Sequence, residues 1–381
     1  MSKLCLDVGM SIAIPKLELD IVFANLRAMG YDVIGQRVKD HAIIPASING
    51  IADLPRGYIS QQEAGKYRLV SDGHKRYFDI TSGPQSWKQY FFPSRTPMMS
   101  IQRDPEDESK WTIEENDEPA PSYALVGVRP CDLAAIKIQD RIFMREEWSD
   151  PIYQARRTNA FILAVNCLHP SGTCFCVSMG TGPKAESGFD LCLTELDEVF
   201  LIEIGSKIGL TAMTGEQTLS WQPASDSLLQ SAQDGLDKAR QEMGRVLPDP
   251  EELPDLLLNN LEHPQWDNVA RRCLSCGSCT LVCPTCFCWD ANDQSILFGD
   301  NVTRERVWDS CYNPDYSYVF GGNTRPNTRS RYRQWLTHKF ASWQHQFGTS
   351  GCVGCGRCIT WCPAGIDPTE EIASIREANQ T

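Results

Sequence analysis

No hydrophobic stretch in this 381-residue chain approaches the ~20 apolar residues that a membrane-spanning helix needs; runs such as Phe161–Val165 are far shorter. The first residues, MSKLCLDVGM, lack a basic start, an apolar stretch and a small-residue cleavage site, so no secretory signal is expected. Positive charge is in deficit: 36 Lys and Arg face 49 Asp and Glu, a net charge of −13. Nonspecific binding to nucleic acid or to an anionic membrane relies on clustered positive charge and is not expected. Phosphate-cradling loops are missing too. No GxGxxG follows a strand-like run, no P-loop motif occurs, and Gly180-Thr-Gly182-Pro183 is too short for a dinucleotide loop. The six histidines form no group with a nucleophile or with metal-ligand spacing, so no catalytic residue is assigned. The expectation is a cytoplasmic protein of two or three domains, with no transmembrane segment and no evident site for substrate chemistry.

Cysteine is the residue in surplus. There are 17, an odd number that excludes complete internal pairing, and clustered thiols in a reducing compartment mean metal or redox chemistry. Eight fall in two copies of C-x2-C-x2-C-x3-C-P: Cys273, Cys276, Cys279 and Cys283-Pro284, then Cys352, Cys355, Cys358 and Cys362-Pro363. In this bacterial ferredoxin run the first three thiolates hold one 4Fe-4S cluster and the fourth holds the other. Three thiolates on a tight loop can face three irons of one cubane, with Gly277 and Gly356 allowing close backbone approach. The Cys-Pro step then turns the chain away. The spacing therefore predicts one cluster on Cys273, Cys276, Cys279 and Cys362, and a second on Cys352, Cys355, Cys358 and Cys283. Zinc is the alternative, since paired C-x2-C units also build zinc ribbons, but a four-ligand site needs neither the third cysteine nor the Cys-Pro, twice over.

A second group lies upstream. The apolar runs Tyr123–Val128 and Phe161–Val165 read as buried parallel strands, followed by Cys131 and by Cys167, Cys174 and Cys176. Side by side, such strands would release Cys131 and Cys167 at their carboxyl ends, where open α/β sheets place ligands. Four thiols there are enough for a third cluster; scattered buried cysteines are the other reading, because free Cys is among the most buried residue types. Cys286, Cys288 and Cys311 are expected to be structural or to support a cluster from outside its ligand set. Cys5 and Cys192 read as core residues.

The organisation follows. Residues 1–120 are expected to be mixed α/β, with a helix near Leu17–Met29, strands near Tyr67–Val70 and Tyr77–Ile80, and an acidic loop at 104–119. Residues 121–224 carry the strand and cysteine-loop units and a hairpin, Asp190–Leu196 with Val199–Ile204. A helical connector spans 225–262. Residues 263–381 read as an α-helical ferredoxin-like domain binding two 4Fe-4S clusters. Trp266–Arg272 and the stripe Trp335, Leu336, Lys339, Phe340 and Trp343 are helical lead-ins to the two motifs. The arginines at 329, 331 and 333 suit a solvated helix face, or a dock for an acidic partner.

The segments Leu54-Pro-Arg-Gly57-Tyr58, Gly83-Pro-Gln-Ser-Trp87-Lys88, Val128-Arg-Pro-Cys131-Asp132, Cys174-Phe-Cys176-x-x-Met179-Gly-Thr-Gly-Pro183 and Cys283-Pro-Thr-Cys-Phe-Cys288-Trp-Asp290 resemble the iron–sulfur β subunit of cytoplasmic NAD(P)-linked NiFe sulfhydrogenases, and its relative, the electron-transfer subunit of the anaerobic sulfite reductase. The likeness runs from about residue 50 to 370. It implies a non-catalytic electron-transfer subunit between the small and large NiFe hydrogenase subunits and a flavin/NAD(P)-binding subunit. It also favours Cys131, Cys167, Cys174 and Cys176 as ligands of a third cluster. A siroheme sulfite reductase subunit is the alternative partner. The 284–351 insertion and its Arg-Tyr-Arg-Gln-Trp helix favour the hydrogenase branch.

Overall fold

The computed structural model describes residues 6–378 except 82, 105, 108, 116–118 and 296–300. Its centre is an eight-stranded sheet in the order Gln222–Pro223, Ser11–Pro15, Val199–Ile204, Leu191–Glu195, Phe161–Val165, Tyr123–Val128, Asp32–Lys39 and Ala42–Ser47. The four middle strands, from Leu191–Glu195 to Asp32–Lys39, run parallel, and the outer pairs are antiparallel. Parallel strands are covered on both faces and so carry continuous apolar runs. Phe161, Leu163 and Val165 face one core with Leu19, Val22, Phe23 and Leu26 of the helix Leu19–Ala28. Ile162 and Ala164 face the other, with Leu133, Ile136 and Phe143 of the helix Pro130–Phe143. Both candidate strands thus lie side by side, and the expected hairpin is Leu191–Glu195 with Val199–Ile204.

A helical layer adjoins the sheet. The helices Leu253–Leu258, Gln265–Arg272, Thr328–Thr337 and Pro368–Ala378 pack around Trp266, Tyr332, Trp335, Leu336, Phe340, Ile359 and Ile372. The predicted stripe is buried in full, and a π-helical turn over His338–Ser342 carries its middle. Arg329 and Arg333 pair with Glu262 at 2.8 Å and Arg331 Nε donates to the Arg325 carbonyl at 2.9 Å, so all three arginines serve contacts within the chain. Among the described residues no helix is long and apolar enough to cross a membrane.

Three expectations are corrected. The insertion between the ferredoxin motifs is not wholly helical: Trp289–Ser295 and Asn301–Trp308 form a hairpin that joins Arg95–Arg103 and Trp111–Glu115 in a four-stranded antiparallel sheet. Its first strand is polar and exposed along its whole length, so it carries no period-2 signal. The strand Trp111–Glu115, likewise exposed along its whole length, lies within the expected acidic loop. Tyr77–Ile80 is not a strand. It crosses the end of the large sheet, where the amides of Tyr77 and Phe78 donate to the buried Glu195 carboxylate at 2.8–3.0 Å and Lys16 completes an ion pair with it.

Candidate iron–sulfur sites

Each ferredoxin motif folds into the same local shape. Gly277 and Gly356 both adopt left-handed backbone, φ 74° and 73°, and each opens a four-residue helix, Ser278–Leu281 or Arg357–Thr360. In the first motif this places the three thiols of one short loop around a single space. A side chain at Gly356 would also meet the Thr173 carbonyl at 2.4 Å, so only glycine lets the second loop seat on the upstream cysteine loop.

Cys273, Cys276, Cys279 and Cys362 line one cavity, walled by Tyr312, Tyr332 and Trp335 and edged by Cys358. The Ser275 amide donates to Cys273 Sγ at 3.4 Å, the Ile366 amide donates to Cys362 Sγ at 3.3 Å, and the Tyr312 hydroxyl donates to Cys279. Cys276 alone of the four is exposed. Cys283 is carried away from this cavity. Its charge is felt instead by Cys352, Cys355 and Cys358. The Lys339 ammonium, buried at 6% exposure, reaches Cys283 Sγ at 3.2 Å and is held by Thr285 Oγ1 and the Gly351 carbonyl, both at 3.0 Å.

The upstream thiols also converge. Cys131, Cys167, Cys174 and Cys176 line one cavity, and Cys355 stands on its wall. The helix Pro130–Phe143 brings Cys131 in on its first turn, and the buried Arg129 beside it bonds the carbonyls of Phe78, Ile80 and Asn166. Ser171 Oγ lies 3.2 Å from Cys174 Sγ. The second motif packs directly on this loop: the Phe175 amide donates to the Gly354 carbonyl at 2.8 Å, and Thr181 Oγ1 donates to the Val353 carbonyl at 2.7 Å. Beneath the seam Arg357 and Asp132, 2% and 1% exposed at their side chains, pair at 2.9 Å.

The donor chemistry fits iron–sulfur clusters. Burial pushes most of these thiols up, Cys352 to about 12 and Cys131, Cys176 and Cys358 well above the usual range, so thiolates there call for a cationic group. Among the described residues no three His, Cys, Asp or Glu side chains converge on a point that one metal ion could occupy. Cys273, Cys276, Cys279 and Cys362, and separately Cys131, Cys167, Cys174 and Cys176, line cavities instead, as a cubane requires and a tetrahedral zinc ion does not.

Cys286, Cys288 and Cys311 line neither cavity. Cys286 lies against Cys283, and its carbonyl accepts from Lys88 Nζ at 3.0 Å. Cys192 is buried in its strand, and Cys5 falls outside the described residues. Sequence reasoning missed the buried cations Lys339, Lys88, Arg129 and Arg357. Only Lys339 left a trace, as the one charged residue within an apolar stripe.

Two interleaved cysteine loops on a helical layer define a protein of the ferredoxin class, and residues 272–366 match the family described as the 4Fe-4S dicluster domain. Over 346 residues the chain is 32% identical to sulfhydrogenase 2 subunit beta of Pyrococcus furiosus, an alignment spanning 89% of this chain and 98% of that protein. The chain belongs to the sulfhydrogenase β-subunit family and is an iron–sulfur electron-transfer subunit. No solved structure matches it.

Proposed function

We propose that the chain carries electrons through three 4Fe-4S sites between the small and large subunits of a NiFe hydrogenase and a flavin/NAD(P)-binding subunit. The ligand sets are Cys273, Cys276, Cys279 and Cys362; Cys283, Cys352, Cys355 and Cys358; and Cys131, Cys167, Cys174 and Cys176. One observation supports the reading: Cys358 of the second motif edges the cavity of the first set and Cys355 of the same motif lines the cavity of the upstream set, so the second motif lies between the two. When bound, such clusters each accept and release one electron. The chain's residues do the rest. They hold the sites in a row, keep water out with Tyr312, Tyr332 and Trp335, and place charge beside each site. The exposed Cys276 marks one end of the row as open to a partner.

The third site is tested by iron content. Cys174→Ser is expected to remove about four of roughly twelve irons from the anaerobically purified protein; unchanged iron would mean that the upstream cage holds no cluster. The charge on Lys339 favours the reduced, more negative state of the site beside it. Lys339→Met is therefore expected to shift that site's EPR midpoint to lower potential while leaving the other two midpoints in place. Native purification with metal and cofactor analysis tests the partners. Nickel with a flavoprotein is the expected result, and siroheme without nickel would move the chain to sulfite reduction.

A further inference from the structure

The cysteines left outside the three proposed ligand sets include one closely matched pair. Cys288 ends the loop that leaves the first motif, and the next residue, Trp289, opens the hairpin opposite Trp308. One step further the Asp309 amide donates to the Cys288 carbonyl at 2.9 Å. Beyond Asp309 the chain turns tightly: the Asn313 amide donates to the Ser310 carbonyl at 2.8 Å, and the Tyr312 amide donates to Ser310 Oγ at 3.1 Å. The turn swings Cys311 back onto Cys288, whose sulfur receives hydrogen bonds from the Cys311 thiol, the Cys311 amide and the Tyr316 hydroxyl. Both residues are partly exposed.

Three donors converging on one sulfur favour its thiolate. The Cys288 thiol is lowered to about 6, with the Cys311 hydrogen bond as the largest cause, while Cys311 is pushed up. A nucleophilic thiolate facing a protonated thiol is the arrangement from which thiol–disulfide exchange proceeds.

We propose that Cys288 and Cys311 form a reversible disulfide by exchange with a low-molecular-weight disulfide. The Cys288 thiolate attacks one sulfur of the small disulfide, forming a mixed disulfide and expelling one small thiolate. The Cys311 sulfur then attacks the Cys288 sulfur, forms the internal disulfide and expels the second small thiolate, with the Cys311 proton passing to solvent or to that leaving group. Two protein thiols are oxidised and one small disulfide is reduced to two thiols. Cys311 leads directly into Tyr312, which lines the first cavity and donates to Cys279, so the bond would tie that wall to the hairpin.

The test uses the complete, iron-loaded protein under anaerobic conditions, equilibrated with graded mixtures of reduced and oxidised glutathione, then alkylated and mapped by mass spectrometry. Cys288 and Cys311 are expected to become protected together, as one cross-linked peptide pair, with iron content unchanged and full reversal by dithiothreitol. In Cys311→Ser, Cys288 should carry glutathione instead; in Cys288→Ser, Cys311 should stay alkylatable at the same ratio. Both thiols remaining free across the series would overturn the proposal, as would Cys288 pairing with Cys286. Loss of iron from either serine variant would make the residue a cluster ligand and overturn it equally. The iron content of the untreated wild-type protein reports separately on the electron-transfer reading.

Discussion

Replacing Cys283 by Ser is expected to abolish the EPR signal and the iron of the site built by Cys352, Cys355 and Cys358, and to spare the site that begins ten residues earlier in the chain. Proximity in sequence argues the reverse, since Cys283 closes the motif of Cys273, Cys276 and Cys279. The Cys-Pro step decides otherwise. It turns Cys283 into the interior, where Lys339 Nζ meets its sulfur at 3.2 Å and Thr285 lies beside it at 3.1 Å. The place left in the first cavity is taken by Cys362, the matching residue of the second motif. About a third of the iron should be lost, and the signal that disappears should be the one whose midpoint responds to Lys339→Met. Loss of the Cys273–Cys279 signal instead would overturn the exchange of ligands between the motifs.

Arg357→Ala should be the most destabilising single change outside the cysteines. The Arg357 guanidinium meets Asp132 at 2.9 and 3.2 Å and reaches the Gly83 carbonyl at 3.2 Å, with both partners sealed from water. Removing one member of such a pair leaves a buried charge without its partner, which costs about 3–5 kcal/mol. Replacing both members by apolar residues removes that penalty, so Asp132→Leu with Arg357→Leu should recover much of the loss. Denaturant unfolding of the wild type and both variants checks the order. A double variant as unstable as Arg357→Ala would mean that Arg357 matters through its hydrogen bond to the Gly83 carbonyl rather than through the charge balance of the pair. The same seam carries the contact between the second motif and the upstream cysteine loop, so Arg357→Ala should also perturb the signals of both adjoining sites.

Lys339 shows how a residue can be visible in the sequence and its role not. Its place among Trp335, Leu336, Phe340 and Trp343 marks the helix face correctly, and a lysine there would ordinarily send its ammonium to solvent. The structure turns it inward, because Cys283, Thr285 and Gly351 together offer the acceptors that a buried ammonium needs. Those acceptors come from two segments that meet only in the folded chain. The hairpin of residues 289–308 was illegible for a different reason. It is held by main-chain pairing to Arg95–Arg103, and its exposed first strand buries no face from which a pattern could arise.

By itself the amino-acid sequence determined the cysteine loops, the buried parallel strands and the amphipathic helix, and with them the iron–sulfur class. Each is written in short-range spacing: three ligands per loop, two residues per pleat, or 3.6 residues per turn. Tertiary structure alone decided that the second motif lies against the upstream loop, that its Cys358 and Cys355 reach the two cysteine-lined cavities on either side, and which cations are buried beside them. It also decided that Cys288 meets Cys311 across the foot of a hairpin. These juxtapositions join residues far apart in the chain through packing and main-chain hydrogen bonds, and no local period records which distant surfaces will meet.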